Sequence, residues 1–221
     1  MSACPLPAFP MGEAQLLPQG VWLWVEWAEW LAKEGEAPAE PPLSPREEAY
    51  WQKLSHPRRR QEWKHGRLLA KRLLAKALGG AAESFEVLPQ EAGPPGVLCE
   101  GKPLQGGWLS ISHSVSCVGV AFAPFAVGLD ICDKADAERI ERLAHRFLFW
   151  HEVTICPDPT YLSAMWALKE AALKMQGGGI FRPGLRSIRV HSLVPPVLAS
   201  PRAEAVLYRL PLAYACLVFC T

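Results

Sequence analysis

Near the middle of the chain two apolar runs, Cys117-Val118-Gly119-Val120-Ala121-Phe122 and Ala126-Val127-Gly128-Leu129-Asp130-Ile131, are separated only by Ala123-Pro124-Phe125. Short apolar runs bounded by a turn residue read as strands, and with residues 108–113 just upstream they predict a three-stranded meander. On either side the period changes. Residues 21–27 read as a strand rich in tryptophan and valine, and Ser44-Pro45-Arg46-Glu47 has the cap, first-turn proline and third-position acid of a helix start. A second helix is expected from Pro57 to Gly79-Gly80, and residues 34–42 read as a Gly-, Ala-, Glu- and Pro-rich loop. Residues 90–107, dense in glycine and proline, predict a long surface loop. Beyond Asp133 helical patterning runs to about Phe149 and again from Pro159 to Gln176, where Gly177-Gly178-Gly179 stops it. Strands are expected near residues 186–191, 204–210 and 213–220. The order of elements repeats, predicting two α+β halves, residues 1–124 and 125–221.

The chain has 221 residues, half of them apolar, enough for a substantial core. Lysine and arginine number 23 against 22 acids, so the overall charge gives no reason to expect a nucleic-acid partner. Seven scattered cysteines show neither metal-ligand spacing nor a disulfide framework and read as reduced thiols. The N-terminal segment lacks the basic start and apolar run of a signal peptide. No apolar stretch approaches the roughly 20 residues that span a membrane. A soluble, cytoplasmic protein with no membrane partner is expected.

In the last helix Met165, Leu168, Ala172 and Met175 form one stripe at 3.6 periodicity, expected in the core. Trp166, Glu170 and Lys174 share another face. That face can be an ordinary surface Glu–Lys pair, and Asp130 at a strand end can simply cap a turn. Together, two carboxylates from separate elements can also hold Mg²⁺, which takes oxygen ligands and bridges substrate phosphates. Groups suited to an anion lie upstream: Arg58, Arg59, Arg60, Lys64, Arg67, Lys71 and Arg72 gather in one helical stretch, which is either a solvated basic face or an anion site. Ser112-His113-Ser114 raises nucleophile chemistry, but no nucleophile elbow surrounds it.

Taken in order, Gly101-Lys102-Pro103, Ile111-Ser112-His113-Ser114, Val127-Gly128-Leu129-Asp130-Ile131, Arg146-Phe147 with Glu152, Trp166-Ala167-Leu168-Lys169-Glu170-Ala171 with Lys174, and Gly177-Gly178-Gly179 resemble the 4'-phosphopantetheinyl transferases. Leu43-Ser44-Pro45 and Gly66-Arg67 extend the resemblance over about residues 43–190, and it is narrower toward the monomeric surfactin-synthetase type. It implies two pseudo-symmetric α+β halves, each a small antiparallel sheet packed with helices. The activity implied is transfer of the phosphopantetheine arm of coenzyme A to a serine of acyl or peptidyl carrier proteins, with release of 3',5'-ADP. Asp130 and Glu170 would bind Mg²⁺. Glu170 would help deprotonate the serine, and Lys174 would stabilise or protonate the leaving phosphate. Arg58, Arg60, Arg67, Lys102, Ser112 and His113 form the implied coenzyme A-binding set.

Many relatives carry a second acid two residues after the strand aspartate; here that position is Cys132, a poor Mg²⁺ ligand. Two protein carboxylates on the metal are therefore expected, with Glu152 as a reserve. The competing expectation is a degenerate relative that binds coenzyme A or a carrier domain without transfer. Carrier docking is expected near the Trp166 helix and residues 147–161, with Arg142 and Arg146 contributing.

Overall fold

A computed structural model describes residues 6–28, 41–156, 158–177, 184–200 and 202–220. Most of the expected loop at residues 34–42, and Gly178 and Gly179 of the expected helix stop, lie outside the described residues. The chain divides into two compact units. One spans Met11–Pro124; the other holds Phe125–Thr221 together with the described N-terminal residues up to Pro10.

In the Met11–Pro124 unit, β1 (Ala14–Leu16) and β2 (Trp22–Trp27) precede α1 (Pro45–Gln52) and α2 (Pro57–Leu78), followed by β3 (Phe85–Leu88), β4 (Gly96–Cys99), β5 (Lys102–Pro103), β6 (Trp108–His113) and β7 (Cys117–Ala123). The antiparallel sheet β1-β2-β7-β6 is covered by α2, whose Leu69, Ala70, Leu73 and Leu74 meet Leu109, Val118, Val120 and Phe122 in a buried core. The helix start at Ser44 is as the sequence predicts: Ser44 Oγ accepts from Glu47 N (3.2 Å), and Glu47 Oε2 accepts from Ser44 N (2.7 Å).

Residues 90–107 are not the expected long loop. β4 pairs with β3 and with β5 in a three-stranded antiparallel sheet. The link between β4 and β5 is only Glu100 and Gly101, both at positive φ (51° and 77°), the requirement of a tight hairpin turn. The density of glycine and proline here marks turns on either side of Gly96-Val97-Leu98-Cys99, which sequence patterning had absorbed into them.

The second unit begins with β8 (Val127–Asp133), then α3 (Ala137–Phe147), α4 (Trp150–Thr154), α5 (Tyr161–Met175), β9 (Arg189–Leu193), β10 (Pro196–Ser200), β11 (Glu204–Arg209) and β12 (Ala213–Phe219). The predicted meander is corrected here. β6 and β7 pair as expected, but β8 joins the sheet β11-β12-β8, taking antiparallel register with β12. A partner 80 or more residues away in sequence is invisible to local pattern. β1, β3, β10 and α4 were not anticipated, and the helical stretch after Asp133 is α3, ending at Phe147. The predicted stripe on α5 is core: Met165, Leu168 and Ala172 are fully buried beside Val190, Leu207, Cys216 and Val218.

Each unit contains the same buried arrangement. Glu47, third residue of α1, accepts from Lys71 Nζ of α2 (2.8 Å) and from Val87 N of β3 (2.7 Å), while Lys71 also donates to Pro42 O (2.7 Å). Glu152, third residue of α4, accepts from Lys169 Nζ of α5 (2.8 Å) and from Val190 N of β9 (2.9 Å), while Lys169 also donates to Phe147 O and Ile188 O. All four side chains are essentially sealed from water. Lys71 is thus a core residue and not part of a basic face. A buried pair contributes little net, but removing one partner leaves the other charged and uncompensated. Lys71→Met should therefore destabilise the protein by about 3–5 kcal/mol, read as a lower urea midpoint. Adding Glu47→Gln should recover much of the loss.

Candidate active site

Helix α5 lies against β8 and β12 at backbone distance. A Cβ on Gly128 of β8 would fall 1.9 Å from Ala171 O and 2.5 Å from Met175 N, both main-chain atoms, so only glycine admits the helix at this depth. That approach brings the two ends of the predicted constellation together. Lys174 Nζ donates to Asp130 Oδ1 at 2.7 Å and to Leu129 O at 3.0 Å. Asp130 is only 8% exposed. Glu170 sits one turn before Lys174 and is half-buried. Burial first, and then the charge of Asp130, push its carboxyl above the usual carboxylate range; Lys174 opposes the shift.

The rotation of α5 about its axis is fixed by the residue next to Glu170. Lys169 points inward to Glu152, Phe147 O and Ile188 O, so Glu170 and Lys174 project from another part of the helix surface. Burial lowers the pKa of Lys169, against which the bond to Glu152 raises it. Trp166 packs edge-to-face on Phe147, ring centroids 5.0 Å apart.

Glu152 cannot serve as the reserve metal ligand expected from sequence. It is fully buried, and its two oxygens already accept from Phe149 N (2.8 Å), Lys169 Nζ and Val190 N. Cys132 is 5% exposed and belongs to the apolar core of its unit. Burial, followed by the charge of Asp130, pushes its thiol up to about 12, so it stays protonated and is no ligand for a hard cation. Among the described residues no group of three or more metal-binding side chains gathers. Asp130 and Glu170 are a pair of carboxylates whose mutual repulsion in a partly desolvated place suits a divalent cation that keeps most of its waters.

In the Met11–Pro124 unit the expected coenzyme A residues occupy α2, β5 and β6. Several basic residues of α2 have specific partners. Arg58 Nε donates to Glu62 Oε1 (2.8 Å), and His113 Nδ1 on β6 lies 3.6 Å from Glu62 Oε2. Arg60 stacks over Trp51 at 4.0 Å, Arg67 over Trp63 at 4.6 Å and Arg72 over Trp24 at 4.4 Å. Burial lowers the Arg67 pKa to about 10. Lys102 is exposed on β5, whereas Ser112 is buried on β6. Ser114 Oγ accepts from Ser116 N (3.2 Å) and Cys117 N (3.1 Å), the arrangement of a turn residue. Sequence reading missed Glu62 and the roles of Glu47 and Lys169. The i,i+4 spacing of Arg58 and Glu62 was the one available signal.

A mixed α+β protein that sets an acid of a buried strand beside an acid and a lysine one turn apart on a buried helix has the equipment of a group-transfer enzyme acting on phosphates. Residues 126–198, about a third of the chain, match the family model of the 4'-phosphopantetheinyl transferase superfamily, and that match supports this family for the protein. The matched segment contains Asp130, Glu152, Lys169, Glu170 and Lys174. No curated protein matches the chain.

The raised Glu170 pKa has a consequence for stability. In metal-free protein the folded state holds this proton more tightly than the unfolded chain, so ionising Glu170 costs stability as pH rises through its folded value. Glu170→Gln removes the charge. In EDTA the variant should melt above wild type at about pH 7, and the difference should vanish near pH 4, below the unfolded glutamate value. Equal melting temperatures at both pH values would contradict a destabilised carboxylate.

Proposed function

We propose that the protein transfers the 4'-phosphopantetheine arm of coenzyme A to a serine of acyl or peptidyl carrier proteins, as a monomeric, cytoplasmic enzyme of the surfactin-synthetase type that depends on Mg²⁺. The observation that carries this is Asp130, Glu170 and Lys174 held together by the β8–α5 approach, inside the segment that matches the family.

Asp130 and Glu170 are the residues that would hold Mg²⁺, both offering oxygen. When bound there, the ion would supply neutralisation of the negative charge that develops on the phosphates. Glu170 takes the serine proton. The serine oxygen then forms its bond to the phosphorus that carries pantetheine, and the bond from that phosphorus to the bridging oxygen breaks. Lys174, one turn along the helix, meets the charge on the departing 3',5'-ADP. Arg58, Arg60, Arg67, Lys102, Ser112 and His113 serve the nucleotide. Carrier docking falls on the exposed basic face of α3, with Arg142 and Arg146, and on α4, where Trp150 is 84% exposed. The division into halves at about Pro124 is supported by the recurrence of the Glu47–Lys71 arrangement at Glu152–Lys169.

One observation favours a second reading, a relative that binds coenzyme A or a carrier without transfer: a protonated thiol, Cys132, stands where many relatives carry an acid. Mass spectrometry of apo carrier proteins incubated with the protein, coenzyme A and Mg²⁺ separates the two. Transfer predicts addition of the phosphopantetheine arm, abolished by EDTA and reduced at least about a thousandfold by Glu170→Gln. Coenzyme A binding with no addition to any carrier would favour the binding protein.

A further inference from the structure

The carboxylate of Glu62 sits where the proposed nucleotide site needs positive charge. Its side chain is 11% exposed and contacts two residues of the proposed coenzyme A-binding set: Oε1 accepts from Arg58 Nε at 2.8 Å, and Oε2 lies 3.6 Å from His113 Nδ1. A phosphate approaching Arg58 or His113 meets this negative charge within a few ångströms, in a partly desolvated setting where such repulsion is screened less than in bulk water. It must also compete with the Arg58–Glu62 ion pair. The penalty depends on the charge of the incoming group. A terminal phosphomonoester carries about −1.5 to −2 near neutral pH. Each phosphorus of a pyrophosphate diester carries one charge. Of the phosphates of coenzyme A, the 3'-phosphomonoester is therefore the one that Glu62 disfavours most.

We propose that Glu62 determines substrate specificity, weakening recognition of the 3'-phosphate by Arg58 and His113 so that dephospho-coenzyme A is accepted about as well as coenzyme A. The inference rests on the nucleotide-binding role assigned above to these two residues. With the dephospho substrate the same bonds form and break: the serine oxygen bonds to the pantetheine-bearing phosphorus, the serine proton goes to Glu170, and the leaving group is 5'-AMP in place of 3',5'-ADP.

Isothermal titration of coenzyme A and of dephospho-coenzyme A into the full chain and into Glu62→Gln reads this without turnover. The ratio of the two Kd values is insensitive to any general loss of folded protein. Wild type should bind the two ligands within about threefold of each other, and Glu62→Gln should tighten coenzyme A about fivefold while leaving dephospho-coenzyme A unchanged. Glu62→Asp, which keeps the charge, should stay near the wild-type ratio. A wild-type preference for coenzyme A above about tenfold, or a Glu62→Gln variant that binds coenzyme A more weakly, would overturn the proposal and make Glu62 a supporting residue that holds Arg58 and His113 in place. Equal tightening of both ligands would also overturn it, by placing the repulsion on the shared pyrophosphate. Failure of both ligands to bind wild type would overturn the nucleotide-binding role itself, an outcome distinct from an unchanged ratio in a protein that binds both.

Discussion

The contact on which the candidate site depends is the approach of α5 to β8 at Gly128. A helix normally stands off a sheet by the thickness of two layers of side chains. Here a residue without a Cβ lets the main chain at Ala171 and Met175 come down onto the strand. Two residues further along β8 is Asp130, and at this separation Lys174 reaches it directly. Helix depth sets the distance between the two elements. Helix rotation is set separately, by Lys169 locked to Glu152 and to two carbonyls. Depth and rotation together leave Glu170 and Lys174 little choice of direction, which is what the proposed transfer requires.

Burying a lysine and a glutamate in each unit is a costly way to fix geometry. A pair of apolar side chains of similar size would pack as well or better. What the charged pair adds is direction: the carboxylate accepts from the lysine of the long helix and from a strand N–H while sitting at a helix start, so the three elements meet in one register. The same solution in both units ties α1, α2 and β3 in one and α4, α5 and β9 in the other.

Much of this was legible in the sequence, for identifiable reasons. The cap at Ser44, the apolar stripe of α5 and the 170/174 spacing are local and periodic, and local periodicity is what sequence patterning detects. The β8–β12 pairing and the β3-β4-β5 sheet were not legible, because the first joins distant segments and the second lies in a stretch dominated by turn residues. The basic stretch of α2 misled in a different way. Charge implies solvent by default, yet Lys71 is sealed in the core by a glutamate 24 residues away, and Arg60, Arg67 and Arg72 each lie on a tryptophan. The place of Cys132 in the core follows from packing that a single sequence does not display.

The proposed activity requires that Asp130 and Glu170, from two elements, make one divalent-cation site with Cys132 outside it. Binding of Mn²⁺, followed by electron paramagnetic resonance in the presence of coenzyme A, tests this directly. One tight site should be lost in both Asp130→Asn and Glu170→Gln, each weakening affinity at least about tenfold, and retained in Cys132→Ser. Equal Mn²⁺ affinity in wild type and both carboxylate variants would contradict it.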